Sequence, residues 1–423
     1  MSEPETDAYD PLTPVPADQR TLTGRDAFSL WFSLGIGLLV LQAGASLIPG
    51  LSLGEALAAI VIGSVIGAVL LALAGVVGAD TGVATIAALR PTLGTRGSAV
   101  PAVINVVQLI GWGIFEIVAM RDAADTLSKQ AFHLSMPVVW TLVFGVAATA
   151  LAVLGPLSFV RRILRKGGIW LVLAGAAWLT WALLSTHDFT YLFQQRGNGS
   201  LAFGSGVDIV AAMPLSWLPL IADYSRFGRA RSMFRGSALG YLVANLWFYA
   251  LGAAFASVAA SGQDMLLSAM ATTGGGFALL MVLIDETDNI FADIFSAATS
   301  LATFARFKVQ HLVLGLGALC TVLALVVPMG QFTGFLYAIG SVFAPLYGVL
   351  LTDHFLIRKR QPAAHMALIG LPAFIAWIAG IGAYYAIMQF LPSLGATLPS
   401  LAVSGAVFFA WKTLRPGALS PVS

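Results

Sequence analysis

Charge is what this sequence has least of. Only 10% of its 423 residues are Asp, Glu, Lys or Arg, against 58% hydrophobic. A soluble globular chain carries roughly 25% charged residues, so the deficit excludes a soluble protein. The formal net charge of +2 supplies no basic surface for nucleic acid. Cysteine is nearly missing: Cys320 stands alone, can close no intrachain disulfide, and reads as a small packed side chain. His133, His187, His311, His354 and His365 sit at no metal-ligand spacing. No nucleophile elbow, phosphate loop or zinc motif is present, so the chain reads as neither an enzyme nor a cofactor carrier. A secretory signal is missing as well, because the first 25 residues are polar and rich in Pro and acid. Residues 1–26 are expected to form a disordered cytoplasmic tail.

What the chain does have is long uncharged stretches. Ala27–Gly54, Ala56–Ala79, Gly97–Phe115, Gly236–Gln263 and Met366–Trp411 contain no Asp, Glu, Lys or Arg. Each exceeds or approaches the roughly 20 apolar residues that cross a bilayer as a helix, and the last suffices for two. Cutting the apolar runs at their Gly, Pro and charged interruptions predicts an all-α polytopic membrane protein of twelve spans, at 27–48, 55–78, 98–122, 136–155, 168–186, 207–224, 237–259, 275–300, 311–327, 332–353, 367–390 and 395–412. With the N-terminus inside, nineteen of the 22 Lys and Arg residues fall in cytoplasmic segments, as positively charged loops require. Both ends are therefore expected inside, in a cytoplasmic (inner) membrane.

Two spans are expected to break. The first carries Gly35, Gly37 and Gly44, which weaken a helix centrally. The sixth is short between charges and holds Pro214 and Pro219. These are corresponding members of two five-helix units, and interrupted segments at matching positions point to the binding site of an inverted-repeat transporter.

Ionisable residues at membrane depth cost roughly 2.5–3.5 kcal/mol each on insertion scales, so they mark function unless a partner accounts for them. In the third span Asn105, Gln108, Trp112 and Glu116 recur at helical spacings and form one stripe. An aromatic face with a hydrogen-bonding group one turn away suits a planar heterocycle. The eighth span holds Asp285, Glu286, Asp288 and Asp293, with Thr287 and Asn289 between them. Four carboxylates cannot all stay charged and unpaired there. Thr287 and Asp288 offer hard oxygens for a sodium ion, and Asp293 or Glu116 offers a proton carrier. Asp285 and Glu286 divide evenly between a site and a solvated helix start. Asp223 with Arg226, Asp353 with Arg358, Lys359 and Arg360, and Arg121 with Asp122 and Asp125 read as interfacial pairs.

Three segments carry a resemblance. Gly94-Thr-Arg-Gly-Ser-Ala-Val-Pro leading to Gly111-Trp-Gly-Ile-Phe-Glu, Pro214-Leu-Ser-Trp-Leu-Pro-Leu-Ile-Ala-Asp-Tyr-Ser-Arg-Phe, and Ile339-Gly-Ser-Val-Phe-Ala-Pro-Leu-Tyr-Gly-Val-Leu-Leu-Thr-Asp-His-Phe resemble the third, sixth and tenth helices of the nucleobase:cation symporter-1 family. The similarity is nearest to its hydroxymethylpyrimidine (thiamine precursor) permease branch. It implies a LeuT-like fold of two inverted five-helix repeats, 27–186 and 207–353, followed by two helices over 367–412 and a cytoplasmic tail over 413–423. It further implies that Trp112 stacks on substrate, and that Glu116 stands where hydantoin-transporting members have Gln. Asn289 and Asp293 then match an eighth-helix Asn pair. The family's sixth-helix aromatic falls at Pro214, which leaves Ser216 or Trp217 to form that wall, and Gln42 is the first-helix amide facing substrate. A sodium site would join first-helix carbonyls near Gly37 to Thr287 and Asp288. The expected function is cation-coupled import of a pyrimidine-type heterocycle such as hydroxymethylpyrimidine or cytosine, with sodium or a proton as coupling ion and the lipid bilayer as surroundings. Transport of hydantoin, allantoin or purine, and a passive channel, are the alternatives. Nothing in the sequence fixes the oligomeric state, and a monomer is compatible with it.

Overall fold

In a computed structural model of the chain, residues 12–154, 169–259, 276–302, 307–327, 332–358 and 366–414 are described. Among them every regular element is helical, and helix occupies all twelve segments expected to span the membrane. The first span is two helices, α1 (Gly24–Ser33) and α2 (Leu38–Ala45), bent by 61° across residues 34–37. The second is α3 (Leu53–Thr81), followed by a short α4 (Thr85–Leu93). Spans three to five are α5 (Ala99–Phe132), α6 (Pro137–Leu154) and α7 (Ile169–Thr186), followed by a short helix α8 (Phe189–Gln194). The sixth is broken into α9 (Phe203–Ser216) and α10 (Ile221–Ser225). Then come α11 (Ala230–Val258), α12 (Gly276–Ala302), α13 (Val309–Ala324), α14 (Phe332–Thr352), α15 (Leu371–Phe390) and α16 (Thr397–Leu414). By length and composition, α3, α5, α6, α11, α14 and α15 are each able to cross a membrane unaided, and α1–α2 do so as one bent span.

Local chemistry sets several of the ends. Thr23 with Asp26 and Ser52 with Glu55 form capping boxes that start α1 and α3, each satisfying two backbone donors that a helix start leaves free. Asp208 of α9 accepts from the amides of Ala396 (2.6 Å) and Thr397 (2.9 Å), and so ties the start of α16 to the sixth span. The outward faces are apolar at helical spacing: Val61, Val65 and Val69 on α3, and Val103 and Val107 on α5, are all exposed. That is the pattern of a lipid-facing surface.

Much of the packing among spans one to four and six to nine is kept when each span is exchanged for the one five positions later. Span one packs on span seven (α1 and α2 on α11), and span six packs on span two (α9 and α10 on α3). α5 meets α13 as α12 meets α6, and α5–α6 corresponds to α12–α13. The pairs α3–α11, α5–α12 and α6–α13 map onto themselves. This is the five-plus-five inverted arrangement expected from the sequence, with α15 and α16 packed outside it on α14.

Several details depart from the sequence reading. Residues 13–22, expected to belong to a disordered tail, are pinned to the body: the Val15 amide donates to the Gly82 carbonyl (2.9 Å), the Leu22 amide to the Phe227 carbonyl (2.8 Å), and Arg20 to the Ala79 carbonyl (2.6 Å). Asp223 and Arg226 are both buried, at 2% exposure, and lie away from the interface expected for them. Asp223 instead accepts from the Thr85 amide at 2.9 Å and holds the start of α4. Asp353 does pair with Arg358, with the Thr92 hydroxyl bridging them; Lys359 and Arg360 lie outside the described residues. Arg121 pairs with Asp122 (2.8 Å), whereas Asp125 takes Lys129 (2.7 Å).

Candidate substrate pocket

The two breaks face each other in the middle of the protein, and each is held by polar side chains from a helix of the other repeat. At the first break the chain runs extended through Gly37, leaving the Ile36 carbonyl and the Leu38 amide outside any helix ladder. Glu286 of α12 accepts from the Leu38 amide at 2.7 Å, and Asn289 donates to the Ile36 carbonyl at 3.2 Å. Gly37 is needed there for space, because a Cβ would strike the Glu286 carboxylate and come within 3.0 Å of Asn289 Nδ2. At the second break Gln108 of α5 donates to the Ser216 carbonyl at 2.9 Å, Asn105 reaches the Pro219 carbonyl at 3.4 Å and Ser300 Oγ at 2.9 Å, and the Tyr347 hydroxyl donates to the Leu218 carbonyl. The third span thus services the sixth and the eighth services the first, a relation that repeats under the five-span exchange. Unpaired backbone groups in hydrocarbon cost several kcal/mol each, which explains why these amides and acids lie at membrane depth.

Between the breaks is a cavity of about 20 Å³ lined by Trp112 and Glu116 of α5, Ser216 and Trp217 at the sixth-span break, Glu286, Asn289 and Asp293 of α12, and Leu34, Leu39, Val40 and Met213. Six of the seven side chains expected at the substrate therefore converge here. The seventh, Gln42, is half-buried on α2 and does not line the cavity. A volume of 20 Å³ admits about one water molecule, so a heterocycle enters only when the lining side chains move apart.

Trp112 is oriented by two phenyl rings of α14, packing near-perpendicular to Phe332 (5.8 Å, 81°) and at 64° to Phe335 (5.1 Å). Gly111 allows this, since a Cβ there would come within 2.8 Å of the Phe335 ring. Trp217 meets Trp31 edge to face at 6.0 Å and joins the wall to the first span. Glu116 and Asp293 are within side-chain hydrogen-bond reach of one another. Trp112 Nε1, Glu116 Oε2, Asn289 Oδ1 and Asp293 Oδ2 are all buried without a hydrogen-bond partner. A cavity offering one donor and three acceptors, all unspent, is built to take a polar ligand. Cys320 is buried beside it, its Sγ 3.9 Å from the Ile110 carbonyl, and acts as packing.

Two sequence assignments need comment. The side chains of Asp285, Thr287 and Asp288, and with them the expected sodium ligands, lie outside the described residues. Glu286, divided in the sequence reading between a site and a solvated start, is 1% exposed, half-way along α12, and part of the pocket. Helical spacing puts Glu286 on one face with Asp293, and both are buried, but spacing alone could not say whether that face meets a cavity or solvent. An expected result follows from its position. Glu286→Gln keeps an acceptor for Leu38 and holds most of the thermal stability, whereas Glu286→Leu strands that amide and lowers the melting temperature of the detergent-solubilised protein by several degrees. An unfulfilled buried donor costs about 1–3 kcal/mol. Equal melting temperatures in the two variants would contradict this role.

Comparison with known proteins gives a consistent picture. The chain matches the family model described as permease for cytosine/purines, uracil, thiamine, allantoin over residues 14–408. It is 25% identical over 394 residues to the cytosine permease of Escherichia coli strain K12, covering 88% of this chain and 87% of that one. It is 22% identical over 372 residues to the hydantoin permease of Microbacterium maritypicum, covering 80% and 73%. Among solved structures it resembles Mhp1, a nucleobase-cation-symport-1 family transporter in a closed conformation with bromovinylhydantoin bound, at a TM-score of 0.82 and 18% identity over 96% of this chain and 95% of that one. At that identity the likeness speaks for the fold.

Proposed function

The chain belongs to the family of permeases for cytosine/purines, uracil, thiamine and allantoin, and on that premise we propose that it imports a pyrimidine-type heterocycle with an amino-bearing edge, such as cytosine or hydroxymethylpyrimidine, by cation symport with alternating access. The observation that carries the substrate class is the pairing of Trp112 with Glu116 one turn on, facing Asn289 and Asp293 across one cavity. The indole gives a flat ring a face to stack on. The unpartnered Glu116 Oε2 and Asp293 Oδ2 are acceptors aimed at ring or amino N–H groups, and Trp112 Nε1 can serve a ring nitrogen or carbonyl. The halves 27–186 and 207–353 act as the two repeats, the terminal helices 367–412 as an addition, and both ends lie on the cytoplasmic side of the inner membrane, as the distribution of Lys and Arg supports. The broken first and sixth spans let α2 and α10 tilt relative to α1 and α9, so that water reaches the cavity from one side at a time.

Thermal-shift measurements on the solubilised protein test the substrate class. Cytosine and related aminopyrimidines are expected to raise the melting temperature at concentrations where uracil, hydantoin, allantoin and hypoxanthine do not. Tighter binding of uracil or hydantoin would overturn this reading in favour of a carbonyl-bearing substrate. Uptake into vesicles that survives an uncoupler and every ionophore would point instead to a passive channel.

A further inference from the structure

Resting on that reading of the pocket, we propose that the coupling ion is a proton, held between Glu116 and Asp293 within the substrate cavity itself. The two carboxyl groups come from α5 and α12, the helix pair that maps onto itself under the five-span exchange, and they lie within side-chain hydrogen-bond reach. Carboxylate oxygens are acceptors only, so two carboxyl groups bond to each other solely through a hydrogen that one of them carries. Glu116 is 4% and Asp293 1% exposed, which keeps bulk solvent from the pair in this conformation.

The surroundings favour this assignment. The titratable groups facing the pair are Glu286 on the same helix as Asp293, Cys320 on α13 and Tyr241 on α11. Glu286 already accepts from the Leu38 amide. α2, α9 and the sixth-span break contribute Leu39, Val40, Met213, Ser216 and Trp217, and no Lys or Arg lines the cavity among the described residues. Two negative charges brought together in such a place need a positive one, and a proton shared by the pair supplies it without a cage of further oxygens. An independent observation marks the same cavity as a ligand site: Trp112 Nε1 and Asn289 Oδ1 are buried, unpartnered and line it.

The cycle balances with one proton per substrate. Open to the outside, the pair takes one proton from external water and changes from a charge of −2 to −1, and the two carboxyls close on each other. Substrate binds to their remaining oxygens and to Trp112. Open to the inside, water takes the proton, the pair returns to −2 and separates, and the substrate loses the geometry that held it. One positive charge enters with each heterocycle.

The test uses full-length protein reconstituted into liposomes, with radiolabelled cytosine as the probe. An inward pH gradient without sodium is expected to raise initial uptake at least tenfold and a protonophore to abolish the gain, whereas an inward sodium gradient at equal pH leaves uptake unchanged. Glu116→Gln and Asp293→Asn each lose the pH acceleration. Infrared spectra of the same liposomes without substrate supply a second readout: a protonated-carboxyl C=O band that shifts in D2O and is missing from both variants. Uptake driven by sodium and indifferent to pH, or a carboxyl band that persists in both variants, overturns the proton site and leaves the pyrimidine reading standing. A variant-sensitive band with no cytosine uptake under either gradient supports the site and overturns the pyrimidine reading instead.

Discussion

Trp112→Ala is expected to lower the affinity for cytosine-type ligands by about a hundredfold, which corresponds to about 2.7 kcal/mol. Stacking of a base on an aromatic side chain contributes about 1–3 kcal/mol by alanine substitution. The indole N–H, buried and without a partner, disappears together with the ring, so the ligand is deprived of a hydrogen-bond donor as well as a stacking face. The variant also leaves Phe332 and Phe335 without the ring they pack against, so some loss of stability accompanies the loss of binding. Trp112→Phe separates the two effects. It keeps an aromatic face and most of the packing but no donor, and its affinity should fall by less than tenfold. Calorimetric titration of both variants, with gel filtration to confirm that each remains monodisperse, gives the comparison. An alanine variant within threefold of the parent would remove Trp112 from the binding surface.

This expectation is readable in the sequence because insertion into a bilayer penalises polar groups so heavily. The same penalty makes the twelve spans, both broken helices and the polar stripe of the third span legible without coordinates. It also singled out the third-span stripe and the acidic eighth span, while the placing of Asn289 and Asp293 at the substrate came from the resemblance to the symporter family. Other parts were not legible, for physical reasons specific to them. Asn105 and Gln108 share the stripe with Trp112, yet they spend their donors on the Pro219 and Ser216 carbonyls. Helical spacing gives the face a side chain occupies, and says nothing of whether it meets a ligand or a broken backbone. Glu286 bonds to Leu38, a residue 248 positions away in the chain, so the local pattern that sets it on a face with Asp293 could not show which backbone group it holds. Gln42 drew attention as the amide of the first span, but α2 turns after the 61° bend and its side chain misses the cavity. The ordering of residues 13–22 rests on backbone bonds to Gly82 and Phe227, which a polar, Pro-rich composition conceals.

The two breaks explain why binding and movement are linked in this architecture. Each break is held in part by side chains from the opposite half, and the helices that supply them, α5 and α12, are also the helices that present Trp112, Glu116, Asn289 and Asp293 to the cavity. A ligand that draws α5 and α12 together therefore acts on both breaks at once. Asn289 shows this most directly, with its Nδ2 bonded to the Ile36 carbonyl at the first break and its Oδ1 unspent beside the cavity. Alternating access needs interactions that differ between states and not only affinity, and in the proposed pocket an amide shared between ligand and hinge would provide one.

Glu116→Gln is expected to invert the ligand preference, tightening binding of uracil-like compounds relative to cytosine by about 10- to 100-fold, or about 1.4–2.8 kcal/mol in the ratio. The preference turns on one atom. Glu116 Oε2 is buried and without a partner, and with the shared proton on the oxygens that face each other across the pair, this one is an acceptor suited to an amino or ring N–H. Gln keeps an acceptor of the same shape and adds a donor group of two hydrogens. A carbonyl edge then finds a donor where it previously met an acceptor, and an amino edge facing that NH2 meets a donor it cannot satisfy, which in a buried site costs about 1–3 kcal/mol. Because side-chain volume is preserved, the parent and variant should share a melting temperature within a few degrees, and the change should appear in the ratio of two dissociation constants measured on each protein. If the variant weakens cytosine and uracil equally, Glu116 serves the pair with Asp293 and does not read the ligand edge.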